Sequence, residues 1–90
     1  MLQYEQLKLK LENMSRDLDE LSNAIGLAQM QRESAELEQR AAADGFWDNM
    51  ENAQKVTQRA ALLNGKIEAY RKLKESYHDT MTLIELADEA

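Results

Sequence analysis

The amino-acid sequence predicts an all-α fold, an antiparallel three-helix bundle of coiled-coil type with one long C-terminal helix. Three observations predict it. The 90 residues contain no Pro, so nothing in the chain enforces a break in a helix. Residues that favour helices dominate, whereas β-branched residues are scarce and never alternate as they do in a strand. Apolar residues recur at steps of three and four over most of the length.

The first predicted helix covers residues 3–25. Its apolar residues form a heptad stripe: Tyr4, Leu7, Leu11, Met14, Leu18, Leu21 and Ile25. Such a stripe is typical of a helix that packs lengthwise against another helix. Gly26 follows directly, and a glycine at this place favours the left-handed conformation that ends a helix. We therefore expect a turn at Gly26.

The second predicted helix covers residues 28–43 and has a thinner apolar face. Met30, Leu37 and Ala41 keep helical spacing, but Ser34 stands where a larger apolar residue is expected. We expect this helix to be the least stable of the three in isolation, because a short helix depends on packing. The turn dipeptide Asp44-Gly45 ends it.

The segment after this turn carries the candidate site residues, Phe46, Trp47, Asp48 and Glu51. Phe46 and Trp47 are the only Phe and the only Trp of the chain. They are either an exposed hot spot for a partner or, the interpretation favoured here, a pin that holds the connection onto the bundle. The second interpretation predicts that Trp47→Ala lowers the melting temperature. Asp48 and Glu51 match a capping box, which predicts a helix that begins at Asn49.

The third predicted helix covers residues 49–88 and has two neighbouring apolar rows. The first row is Ala53, Val56, Ala60, Leu63, Ile67, Tyr70, Tyr77, Met81 and Ile84. The second row is Leu62, Ala69, Leu73, Thr80, Leu83 and Ala87. Together they make a broad apolar face, which indicates contact with two helices and a central place in a small bundle.

Asn64-Gly65 is a turn signal inside this third segment. The apolar row steps from Leu63 to Ile67 without losing its phase, which favours one long helix, bent or straight, over two short ones. At 1.5 Å per residue the first helix is roughly half as long as the third. Part of the long helix must therefore contact the second helix, a further segment or another chain.

Composition and charge exclude several classes of function. The net charge of −6 makes binding to a phosphate backbone unfavourable. The absence of Cys removes disulfides and thiol chemistry and fits a cytoplasmic location. His78 is the single histidine, has no neighbour at ligand spacing, and is interpreted as a surface residue. No long apolar run or signal peptide is found, so we expect no membrane association. We predict no catalytic, cofactor-binding or metal site, and no enzyme.

The aromatic segment resembles a known family. Gly45-Phe46-Trp47-Asp48-Asn49 and Ala53-Gln54-Lys55-Val56 are similar to the amino-terminal domain of the bacterial peptide chain release factor 2 family. Glu36-Leu37-Glu38, Leu83-Ile84-Glu85-Leu86-Ala87 and the leucine-rich first helix fit the same domain. The family commonly has Pro shortly before the aromatics, where this chain has Ala43-Asp44-Gly45, so the resemblance does not fix the geometry of this turn.

The resemblance implies a function for the whole protein and a partner for this segment. Full-length members of the family recognise the stop codons UAA and UGA and promote peptidyl-tRNA hydrolysis through a Ser-Pro-Phe loop and a Gly-Gly-Gln loop. Neither loop is present, because the chain has no Pro and no adjacent glycines. The resemblance therefore implies an arm that contacts the factor-binding region of the ribosome and another termination factor. The net charge of −6 favours a basic ribosomal protein over RNA as the point of contact.

Two further expectations remain beside this one. The chain reads as a fragment of a longer protein, since Glu89-Ala90 offers neither cap nor glycine at the end of a helix. The rival hypothesis is a freestanding coiled-coil adaptor or oligomerisation module. The broad apolar face of the third helix would then pair two copies as a homodimer.

Overall fold

The computed structural model describes residues 2–89, and over this range the chain is helical, which confirms the all-α class. It consists of α1 (Leu2–Ala24), α2 (Leu27–Ala41), a 3-10 turn (Phe46–Asp48) and α3 (Met50–Glu89). No strand occurs within this range. Ala90, on which the expectation of a truncated helix partly rests, lies outside the described residues.

The chain divides into two compact units that share α3. The α1 unit contains the chain up to Ile25 together with the segment from Tyr70 onward. The α2 unit contains Gly26–Ala69. The long third helix was expected to find part of its contacts on the second helix, and α2 lies in the unit that contains the first part of α3.

The connection between α1 and α2 is Ile25-Gly26, with its turn at Gly26 as predicted. Gly26 has a φ of 68°, in the left-handed region that residues with a Cβ avoid. The Ile25 N–H donates to the carbonyl of Leu21 at 3.0 Å and completes the end of α1. The Met30 N–H donates to the carbonyl of Gly26, also at 3.0 Å, and opens α2. The turn is therefore so short that α2 begins at Leu27, one residue before the predicted start.

The C-terminus of α2 lies at Ala41, two residues before the predicted end. The Ala43 N–H donates to the carbonyl of Arg40 at 3.2 Å, a tighter bond than the helical one, and the Phe46 N–H donates to the carbonyl of Ala43 at 3.2 Å. These bonds satisfy the backbone groups of the last turn without another α-helical residue. Helix propensity at Ala42 and Ala43 therefore did not decide where α2 ends.

The core of the α2 unit joins α2, the 3-10 turn and the first part of α3. Its buried residues are Leu37, Phe46, Ala53, Val56 and Leu63, and Met30, Ala41 and Ala60 pack against them. Ala53 is fully buried. Because this side chain is small, the backbones of α2 and α3 can approach closely, which compensates for the thin apolar face of α2.

Two polar contacts join α2 to α3 beside this core. Ser34, which interrupts the predicted stripe, is buried, and its hydroxyl donates to Oδ1 of Asn64 at 2.6 Å. Arg59 binds Glu33 with two bonds, Nη2 to Oε2 at 2.9 Å and Nε to Oε1 at 3.3 Å. The serine is therefore part of the interface between the helices, with its polar group satisfied.

The segment Asn64-Gly65 lies inside α3, so the prediction of one continuous long helix is confirmed. Gly65 is not among the residues with positive φ, which are Gly26 and Gly45. A Cβ added to Gly65 would meet no atom within 4 Å. This glycine is therefore an ordinary helical residue. The phase of the apolar row predicted the continuous helix correctly, whereas the turn signal of the dipeptide did not.

In the α1 unit, α1 packs antiparallel to the second part of α3. The Tyr70 hydroxyl donates to the carbonyl of Leu18 at 3.0 Å, and Nζ of Lys8 lies 3.3 Å from Oδ2 of Asp88. The hydrogen bond to Asp88 raises the pKa of Lys8 above its ordinary value, so the contribution of this ammonium group to stability is lost as the pH rises through that raised pKa. Leu11, Leu18 and Tyr70 are buried.

Only part of the predicted α1 stripe faces α3. Tyr4, Leu11 and Leu18 do so, and the partly buried Lys8, Ser15 and Ser22 complete that face. The other stripe residues, Leu7, Met14, Leu21 and Ile25, are exposed. The stripe was predicted as one buried seam. A helix that contacts one neighbour needs only two adjacent rows of side chains, and the second row here is polar. This polar row can pack against α3 because Lys8 contributes its methylene groups and the serines are small.

The two apolar rows of α3 also differ in burial. Every residue of the first row is buried or partly buried, whereas the second row is exposed along its whole length. Each part of α3 contacts one helix through the first row. The predicted contact of α3 with two helices is confirmed, because α2 packs on its first part and α1 on its second, but neither contact uses the second row.

Candidate interaction surface

The connection between α2 and α3 positions the four candidate site residues. Gly45 has a φ of 80°, and this left-handed residue turns the chain into the 3-10 turn that starts at Phe46. The Asp48 N–H donates to the carbonyl of Gly45 at 3.1 Å and closes the turn. The dipeptide Asp44-Gly45 was predicted to be a turn for this reason.

The two aromatic residues of the turn point to opposite environments. Phe46 is 8% exposed and belongs to the core of the α2 unit, whereas Trp47 is 58% exposed. Their rings meet edge to face, with centroids 5.0 Å apart and an interplanar angle of 89°. The interpretation that the pair pins the connection therefore applies to Phe46. Trp47 is an outward-facing indole that packs against a buried ring.

The helix cap lies one residue later than the sequence indicated. Asn49 is the N-cap, with extended backbone angles, and its Oδ1 accepts from the Asn52 N–H at 3.1 Å. Asp48 was predicted in this role, but the 3-10 turn includes it, and its Oδ2 lies 3.3 Å from where a Cβ on Gly45 would be. Glu51 pairs with Lys55 at 3.5 Å instead of closing a capping box. Both acids still lie near the positive end of α3, where negative charge is favourable.

Negative charge surrounds the exposed indole. Asp44, Asp48 and Glu51 all lie within four residues of Trp47 and are exposed, and so is Met50. We call these five residues the turn surface. An apolar centre with an acidic rim fits a partner with basic side chains, since an Arg or Lys can stack on an indole while it pairs with a carboxylate.

No group of three or more His, Cys, Asp or Glu residues in the described part of the chain could hold a metal ion. His78 is exposed, and its ring centroid lies 5.2 Å from that of Tyr77. Two surface depressions are each lined by residues of a single helix: one by Gln29, Arg32, Glu33, Ala35, Glu36 and Gln39, the other by Gln3, Gln6, Leu7 and Lys10.

No helix in the described range is long and apolar enough to cross a membrane.

Sequence reasoning missed two features of the surface. The first is the N-cap residue Asn49. It could have been predicted, because Asn is one of the preferred residues at N-caps. The second is the outward row Leu7, Met14 and Leu21 on α1. The polar residues Lys8, Ser15 and Ser22 recur at seven-residue steps beside the apolar stripe, but no rule of periodicity marks such a row as the contact row.

Comparison with known proteins supports the resemblance seen in the aromatic segment. Peptide chain release factor 2 of Clostridium perfringens (strain SM101) is 38% identical over 80 residues, which are 89% of this chain and 22% of the relative. The protein of the same name from Acidothermus cellulolyticus is 37% identical over 78 residues, 87% of this chain and 21% of the relative. That of Petrotoga mobilis is 21% identical over 89 residues, 99% of this chain and 24% of the relative.

The predicted resemblance to peptide chain release factor 2 is therefore confirmed over nearly the whole chain. The chain spans about a fifth of the length of the curated relatives that it matches. No family model matches it, and no solved structure is a significant match.

Proposed function

We propose that this chain is the amino-terminal, non-catalytic helical domain of a translation termination factor and that it contacts the ribosome. The observation that carries the proposal is the 38% identity to peptide chain release factor 2 over 89% of the chain. In this proposal the full-length protein recognises the stop codons UAA and UGA and promotes peptidyl-tRNA hydrolysis in the cytoplasm. The segment itself is an arm and not an enzyme.

The charge of the chain favours a protein partner on the ribosome over RNA. A domain with a net charge of −6 is repelled by a phosphate backbone but attracted by the basic surfaces of ribosomal proteins. We place the contact at a ribosomal protein of the factor-binding region, and another termination factor is the second candidate partner. Sequence-specific binding of nucleic acid is not part of the proposal.

The turn surface supplies a contact of the required kind. Trp47 is a large, exposed and rigid side chain, the type that carries most of the binding energy at protein interfaces. Its acidic neighbours Asp44 and Asp48 complement a basic partner. We therefore expect the arm to meet the ribosome through the turn between α2 and α3.

Co-sedimentation of the 90-residue chain with ribosomes tests the proposal. We expect saturable binding that weakens as salt is raised, because salt screens the acidic contacts. We also expect the isolated chain in excess to slow the release of peptide by a full-length release factor 2, since both would occupy the same site.

The control in this experiment is naked ribosomal RNA. Salt-sensitive binding of the chain to this RNA that is as strong as binding to ribosomes would contradict a protein contact. Absence of any binding to ribosomes, together with a gene that ends after residue 90 without a Gly-Gly-Gln segment, would contradict a termination factor.

A freestanding coiled-coil adaptor or oligomerisation module is the second candidate function. One observation favours it, the exposed apolar row Leu7, Met14 and Leu21 on α1. A gene that continues into a Gly-Gly-Gln segment would exclude a freestanding module.

A further inference from the structure

An apolar row runs along α1 outside the contact with α3. Leu7, Met14 and Leu21 are spaced by seven residues, so they lie on one line along the helix. Their exposed fractions are 47%, 47% and 38%. The row extends over about 20 Å of helix. A straight line of three large apolar side chains at heptad spacing is the pattern by which one helix accepts another.

The row is symmetric about its centre. Met14 lies midway between Leu7 and Leu21, seven residues from each. If two copies of α1 run antiparallel along this row, Met14 meets Met14 of the second copy, and Leu7 meets Leu21 at both ends. The row is therefore self-complementary, as a two-fold symmetric interface requires.

Two charged residues beside the row repeat the same symmetry. Lys10 follows Leu7 by three residues and Asp17 follows Met14 by three residues, so both lie on the same side of the row. Lys10 precedes Met14 by four residues and Asp17 follows it by three. In the antiparallel arrangement, Lys10 of each copy lies beside Asp17 of the other.

Lys10 and Asp17 have no charged partner among residues 2–89. Both are exposed. Two reciprocal Lys10–Asp17 pairs would form between copies. A parallel arrangement would instead place Lys10 against Lys10, which is unfavourable.

We propose that the apolar row of α1 binds a second copy of this chain, with the two α1 helices antiparallel and a two-fold axis at Met14. The contact is separate from the turn surface, so it goes beyond the proposed function and does not depend on it. Because the row is short, the dimer is weak.

Disulfide trapping tests the register directly, since the chain has no cysteine of its own. Under mild oxidation, we expect the Met14→Cys variant to form a covalent dimer quickly, because the two new side chains meet on the axis. The Leu7→Cys variant is expected to link slowly to itself but quickly to a size-tagged Leu21→Cys variant.

Leu9→Cys is the matched control, because Leu9 is 58% exposed on another side of α1. Equally fast linkage of Leu9→Cys and Met14→Cys would mean random collision and would overturn the proposal. Fast self-linkage of Leu7→Cys would overturn the antiparallel register, and so would a failure of Met14→Cys to link.

Sedimentation equilibrium tests the ion pairs without any covalent bond. We expect Lys10→Glu and Asp17→Lys each to raise the dissociation constant several-fold at low salt, and the double variant to restore it, because the double variant exchanges the charges. A chain that stays monomeric at high concentration would overturn the proposal. It would indicate that the row is covered by another partner or by other parts of a longer protein.

Discussion

Tyr4 and Tyr70 place two hydroxyl groups in the α1 unit with opposite results. The Tyr70 hydroxyl is buried and donates to the carbonyl of Leu18. The Tyr4 hydroxyl oxygen is buried as well, but no described residue provides it with a hydrogen-bond partner. A buried polar group without a partner is unfavourable, whereas a satisfied one is close to neutral or stabilising.

Replacing each tyrosine with phenylalanine separates these two cases. We expect Tyr70→Phe to lower the free energy of unfolding by about 1 kcal/mol, because the hydrogen bond is lost. We expect Tyr4→Phe to leave it unchanged or to raise it, because an unsatisfied group is removed. Urea denaturation at neutral pH measures both. An equal loss in the two variants would mean that the Tyr4 hydroxyl has a partner after all.

Phe46 and Trp47 provide a second matched pair at the residue scale. Phe46→Ala empties a site in the core of the α2 unit, so we expect a loss of about 3 kcal/mol. Trp47→Ala changes an exposed side chain, so we expect less than about 1 kcal/mol and little change in the melting temperature. This reverses the expectation from the sequence, which assigned the pinning role to both aromatics.

Trp47→Ala, which has the smaller effect on stability, should have the larger direct effect on ribosome binding. If Trp47 is the contact residue, Trp47→Ala reduces co-sedimentation with ribosomes at least tenfold while the fold stays intact. A Trp47→Ala variant that melts much earlier than the unmodified chain would return the residue to a structural role.

At the scale of the helices, two glycines differ in what they contribute. Gly65 lies inside α3 with open space around its Cα, so Gly65→Ala should raise the free energy of unfolding by about 1 kcal/mol. Gly26 also has open space but a φ of 68°, so Gly26→Ala should lower it by about 1–2 kcal/mol. Thermal unfolding followed by circular dichroism measures both. A stabilising Gly26→Ala would show that the turn does not need its left-handed residue.

Helix existence was predictable from the sequence, and helix ends and faces were less so. The phase of the row through Leu63 and Ile67 correctly favoured a continuous α3 over the Asn64-Gly65 turn signal. The end of α2 was misplaced because Ala42 and Ala43 have high helix propensity, whereas the turn before Phe46 uses their backbone groups. Helix propensity is a local property, whereas the position of Phe46 in the tertiary structure decided where α2 ends.

At the scale of the whole molecule, periodicity predicts which residues are apolar on one side but not how many neighbours that side will have. The stripe of α1 was predicted to be buried against one helix, and the two rows of α3 were predicted to contact two helices. In each unit a single partner helix is present, so Met14 and Leu73 remain exposed. The number of helices that pack on one face depends on contacts between residues far apart in the sequence, so a local pattern does not predict it.

The candidate surface was predictable in its residues but not in its orientation. The sequence singled out Phe46 and Trp47 because each is unique, yet which of them faces inward depends on the left-handed angle at Gly45. The acidic rim follows from composition. The self-complementary row on α1 became visible only when Leu7, Met14 and Leu21 were found outside the contact with α3.

The outward position of Trp47 has a practical consequence for the spectroscopy of this protein. The indole is largely in contact with water before any unfolding takes place, so its emission will shift little when the chain denatures. An experimenter who followed folding by tryptophan fluorescence would conclude that very little happens. Near-ultraviolet circular dichroism of the tyrosines, among them the buried Tyr70, would report the loss of packing instead.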